Sequence, residues 1–83
     1  MNKTEPLEKT LIDAVGEDRI NILSQLCMAN IDENASKSLE YSIEALSIAE
    51  EINSSDKIIH NLIIIGQIYT RKLNDYDKAE SYF

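Results

Sequence analysis

The stretch Asp56–Tyr69, DKIIHNLIIIGQIY, decides the fold. It is the most apolar run in the chain and holds one of the two glycines. At 100° per residue, Ile58, Ile59, Leu62, Ile65, Gly66 and Tyr69 fall on one side of a helix, and His60, Gln67 and Arg71 fall on the other. Ile63, Ile64 and Ile68 lie on the flanks, so the apolar stripe is wider than that of a helix lying on a surface. Such a helix requires neighbours on more than one side. The spacing predicts a helix over about residues 56–72, set in the middle of a helical stack.

Working toward the N-terminus, Asn53-Ser54-Ser55 breaks the pattern, and Ser55 is the expected N-cap of this helix. A long helix is expected before it, over about residues 35–52. Its apolar stripe is Leu39, Ile43, Leu46 and Ile52. Ala45 and Ala49 are small enough for a close helix approach, and Glu40, Glu44, Glu50 and Glu51 belong on the wet side. Asn34 is its expected N-cap, and Ile31–Asn34 is a tight connection. Another helix is expected over about residues 18–30, with Ile20, Leu23, Leu26 and Cys27 inward and Ile22 beside them. The first helix is expected after a Thr4 cap, with Pro6 in its first turn, where the missing N–H does no harm. Its face is Leu7, Leu11, Ile12 and Val15, and Gly16 is its expected C′ stop. Beyond the central helix, Leu73-Asn74-Asp75 is a connection, and Asp75 can cap a last helix, YDKAESYF, that breaks off after barely two turns. The expectation is an all-α, antiparallel helix-turn-helix stack of about five helices joined by short loops.

The totals agree with this. With 83 residues there is room for one small domain with a modest core. Two glycines and one proline leave few positions for strand turns, and 43% hydrophobic residues argues against a disordered chain. The formal net charge of -7 argues against nucleic-acid binding and against docking on anionic membranes. The first residues carry no signal-peptide apolar segment and no apolar run reaches membrane-spanning length, so a cytoplasmic location is expected if Met1 is the native start.

Two segments repeat one another: NILSQLCMANIDENASKSLEYSIEAL and NLIIIGQIYTRKLNDYDKAESYF. In each, an asparagine opens an apolar helix, a small residue (Cys27, Gly66) sits mid-helix, a polar loop follows, and then a lysine with a small residue (Lys37-Ser38, Lys78-Ala79). This pattern resembles the tetratricopeptide repeat. In the second copy Leu62, Gly66, Tyr69, Asn74-Asp75-Tyr76-Asp77-Lys78-Ala79 and Phe83 follow the family's order. The first copy is degenerate: Asn30, Ser38 and Ser42 replace its tyrosine, alanine and aromatic residue, while Ala45 keeps its second alanine. The copies are about 40 residues apart, longer than the family's usual ~34. Such lengthened repeats resemble those of bacterial regulatory proteins. The resemblance divides the chain into a leading helix (1–16), a degenerate repeat (17–53) and a second repeat, expected to be truncated (54–83).

Catalytic chemistry is not expected. His60 has no Cys, Asp or Glu partners at ligand spacing beyond Asp56 at i−4. Cys27 reads as a buried small residue rather than a nucleophile, and Asp75-Tyr76-Asp77 lacks the ligand count of a calcium loop. No catalytic residue, cofactor or metal is therefore expected. The resemblance implies a protein or peptide partner on the concave face of the stack. The groove positions carried over are Asn21, Ser24, Met28 and Asp32 from the first copy, and His60, Ile63, Gln67, Thr70 and Arg71 from the second. Among these Arg71 is the only cation, so the family's lysine- and asparagine-rich carboxylate clamp is absent. The expected role is a non-catalytic interaction or sensory module of a bacterial regulatory protein, with room for a catalytic output domain after Phe83. The alternative is a stand-alone adaptor or scaffold. The apolar end formed by Ala79, Tyr82 and Phe83 would then be covered by a second copy, making a homo-oligomer.

Overall fold

A computed structural model describes residues 5–72, with side chains from Glu8 onward. Four helices follow one another: α1 (Glu5–Asp13), α2 (Gly16–Asn30), α3 (Ala35–Glu51) and α4 (Ser55–Arg71). The chain is all-α, and no strand occurs among the described residues. The expected last helix and the apolar end at Ala79, Tyr82 and Phe83 lie outside the described residues, as does the Thr4 cap.

The helix ends follow local chemistry. The Asn34 side chain accepts from the Lys37 backbone N–H at 3.1 Å and caps α3 as expected. That helix ends in a Schellman turn. Asn53 takes a left-handed φ of 55°, its N–H donates to Glu50 O at 3.2 Å, and the Ser54 N–H reaches back to Ala49 O at 3.0 Å. Ser54, not Ser55, is the N-cap of α4, and its side chain makes no cap bond. Instead Asp56 in the first turn and Arg71 in the last complement the helix dipole.

Gly16 does not stop α1, which already ends at Asp13. Val15 is extended (φ -135°, ψ 160°), and Gly16 then takes a φ of +57° as the first residue of α2. The glycine therefore serves the entry to α2 rather than the exit from α1. A Cβ built there meets nothing within 4 Å. Gly16→Ala is therefore expected to cost about 1 kcal/mol from backbone strain alone, and Gly16→Asn less, read from the denaturant midpoint. An alanine variant as stable as the parent would mean that the turn relaxes to another conformation.

The core lies where α2 and α4 rest on α3. Ile20, Leu23, Leu26 and Cys27 of α2 are fully buried, the inner face expected of this helix. One cluster joins Ile20 and Leu23 to Ala45 and Ala49, with Leu11, Tyr41, Ile48 and Ile58 against it. A second joins Cys27 to Ile64 and Ile68, with Ile31, Ala35, Leu39 and Tyr41 against it. Contacts run from the end of one helix to the start of the next. Cys27 meets Ser38 and Arg19 meets Glu44, so α2 and α3 are antiparallel. Ile58 lies in the cluster with Ile48, while Ile68 lies with Ala35 and Leu39, so α4 reverses again.

Three faces differ from expectation. On α3 the buried stripe is Ser38, Ser42, Ala45 and Ala49, while Ile43 and Ile52 are 42% and 43% exposed. Two helices press onto α3, and small side chains allow that approach where an isoleucine would hold them off. On α4 the buried residues are Asn61, Ile64, Ile65, Gly66 and Ile68; Ile59 is 55% exposed. The flank residues Ile64 and Ile68 are thus the ones driven into α2 and α3. On α1, Leu11 packs inward but Ile12 and Val15 stay 79% and 77% exposed. A nine-residue helix against a single neighbour covers only one narrow stripe.

Candidate functional site

Because α3 reverses the chain twice, α2 and α4 run parallel on one side of it. Two polar bridges tie them at both ends. Lys57 Nζ, in the first turn of α4, donates to Asn21 Oδ1 at 3.0 Å. Lys72 Nζ, just past its last turn, meets Asp32 Oδ1 at 2.6 Å. Both bridges lie at the surface, where such pairs contribute well under about 1 kcal/mol each. Their value here is geometric: they mark the register of the two helices.

Between the C-terminal halves of α2 and α4 lies a groove of about 300 Å³, lined by Met28, Ile31, Asp32, Ile64, Gln67, Arg71 and Lys72. Four of the residues expected at the partner face (Met28, Asp32, Gln67 and Arg71) meet in it. Ile31 and Ile64 form an apolar floor, Met28 stands at 57% exposure, and the amide of Gln67 is half-buried. The other expected residues are dispersed. Asn21 is engaged by Lys57 at the opposite end of α2. Thr70 turns its hydroxyl back to Gly66 O at 2.9 Å, within its own helix. Ser24 on α2 is half-buried, and His60 and Ile63 are exposed on α4 without lining this groove.

Sequence reasoning missed Lys72, Lys57, Ile31 and Ile64. Arg71 is not the only groove cation, since Lys72 lines the same walls. One signal pointed to Lys72: it stands 40 residues from its partner Asp32, the spacing of the repeat itself.

Cys27 is a structural thiol. Ser38 Oγ donates to Cys27 O at 2.7 Å, and the sulfur lies 3.0 Å from the same hydroxyl, which leaves the S–H to donate to it. Burial pushes the Cys27 thiol above its ordinary pKa, and the neighbouring Ser38 and Ser42 hydroxyls pull it only partly back. A thiol raised and buried in this way is a poor nucleophile. Among the described residues no three His, Cys, Asp or Glu side chains converge as a metal site, and no helix is long and apolar enough to cross a membrane. The Asp75-Tyr76-Asp77 segment lies outside the described residues. No family model, curated protein or solved structure matches the chain.

Proposed function

We propose that the chain is a non-catalytic protein-interaction module built of long helical repeats resembling the tetratricopeptide repeat. In this reading it serves as the sensory or partner-binding stack of a bacterial regulatory protein, and an extended peptide lies on the α2–α4 face. One observation carries the reading: alternate helices lie parallel and in register, with an open, mixed apolar and polar groove between them. Met28, Ile31 and Ile64 would take an apolar side chain of the peptide, and Gln67 has an amide to offer its backbone. Stacked repeats curve and present this kind of surface.

The test is to pan a library of random dodecapeptides on the chain and measure the enriched ones by titration calorimetry. Met28→Asp and Arg71→Ala are each expected to weaken them about tenfold, or ~1.4 kcal/mol. Peptides that bind both variants as tightly as the parent, or a library that yields no enrichment, would sink the proposal.

A further inference from the structure

A second concavity lies away from the α2–α4 groove. The α1–α2 junction forms a notch of about 430 Å³ lined by Thr10, Asp13, Ala14, Val15, Asp18, Asn21 and Ile22. Its apolar part is Ala14, Val15 and Ile22, and exposed Ile12 lies beside Asp13 in sequence. Both of its charged lining residues are carboxylates. Asp18 is well placed in the first turn of α2, where a negative charge meets the positive end of the dipole. Asp13 is placed badly. It is the last residue of α1, whose final turn holds no basic residue, so its charge adds to the negative end of that helix.

Two cations of the chain stand beside the notch, and both are engaged by the chain itself. Arg19 sends Nε to Glu44 at 2.6 Å and Nη1 to Leu11 O at 2.7 Å and Ala14 O at 3.4 Å, at the carbonyl end of α1. Lys57 is held by Asn21. The notch thus combines exposed Val15 and half-buried Ile22 with two carboxylates, and no cation is among its lining residues.

From this charge pattern we infer that the α1–α2 notch docks a basic amphipathic segment of another protein, with a lysine or arginine between Asp13 and Asp18 and an apolar side chain over Val15 and Ile22. The occupant's cation pairs with the two carboxylates that line the notch. Its apolar residue covers surface that α1 is too short to cover itself. A second copy of this acidic chain, with net charge -7, is the poorer fit.

The experiment uses a fluorescein-labelled peptide of alternating lysine and leucine pairs, and the same peptide with glutamate for lysine. Binding is read by anisotropy at low and high salt. The lysine peptide is expected to bind, and the Asp13→Asn/Asp18→Asn chain to bind it about tenfold more weakly. The control removes the same charge from the α2–α3 loop and the first half of α3 through Glu33→Gln/Glu40→Gln, and its affinity should stay within about twofold of the parent. Val15→Ser should weaken binding at both salts, because it removes apolar contact rather than charge. Thermal melts establish that each variant is folded, and Asp13→Lys/Asp18→Lys should reverse the preference toward the glutamate peptide. Equal losses in the two double variants would reduce the effect to general attraction to an acidic protein and overturn the inference. No binding of the lysine peptide would overturn it as well. So would sedimentation showing that the chain pairs with itself in a way abolished by Asp13→Asn/Asp18→Asn, since the occupant would then be a second copy.

Discussion

Asn61→Leu is expected to stabilise the chain, and Asn61→Asp to unfold much of it at neutral pH. Asn61 is fully buried on α4, one turn before Ile64 and Ile65. Its Nδ2 donates to Lys57 O at 2.8 Å, but Oδ1 has no hydrogen-bond partner. A buried acceptor left unpaired costs about 1–3 kcal/mol. Leucine has a similar branched outline, so the exchange replaces both amide polar atoms with methyl groups; it gives up the Nδ2–Lys57 O bond along with the unpaired acceptor and adds little strain. A gain of about 1 kcal/mol would raise the melting temperature of a domain this size by roughly 4–8 °C. Aspartate has the same shape too, but places a charge where no partner stands. Breaking a buried pair, which likewise strands a charge, costs about 3–5 kcal/mol, close to the whole stability of a small domain.

The pH dependence has a definite sign. Desolvation raises the introduced carboxyl's folded pKa above its unfolded value of about 3.9. The folded state therefore holds a proton that the unfolded state has released between those two values. Stability relative to the parent is nearly intact below about pH 4, falls as pH rises through the window, and is lowest above the folded pKa. Urea melts of parent and both variants at acid and neutral pH test this. A leucine variant less stable than the parent would show that Oδ1 has a partner after all, a bound water being the simplest.

The inner face of α2 was legible because Ile20, Leu23, Leu26 and Cys27 recur at helical spacing, and all four are buried. The face of α4 was only half legible. Where Ile58, Ile59, Ile63, Ile64, Ile65 and Ile68 nearly encircle a helix, periodicity cannot say which of them meets the neighbour. The residue that marks the buried side is polar, Asn61, and a hydropathy pattern counts it as outside. Tertiary placement governs the candidate site in the same way. Met28, Asp32, Gln67 and Arg71 could be brought together only through the resemblance to the tetratricopeptide repeat, whose groove positions they occupy. Lys57 on Asn21 could not, because the 36 residues between them are not the roughly 40 of the repeat. The notch at α1 depends on where that helix ends, and helix ends are the part of a pattern least fixed by its period.

Ala45→Leu is expected to cost about 3 kcal/mol, whereas Ile43→Ser, two residues away, should stay within about 1 kcal/mol. Side-chain size alone would predict the reverse ranking. Ala45 is fully buried and faces Ile20 and Leu23 of α2. Three more carbon atoms there have no space in a packed interior and must push α2 off α3. Ile43 is 42% exposed and belongs to neither core cluster, so its loss leaves no enclosed cavity. The small stripe of α3 also fixes the distance between α2 and α4, since both rest on it. The Ala45→Leu chain, examined below its melting point, should therefore lose the Lys57–Asn21 bridge and widen the groove that holds Met28 and Gln67. Amide exchange would read this as faster opening of the N-terminal half of α4, with α3 itself still protected. If Ile43→Ser proved the more damaging, the large aliphatic stripe would be the packed face after all. The parallel placement of α2 and α4, on which the groove depends, would then have to be redrawn.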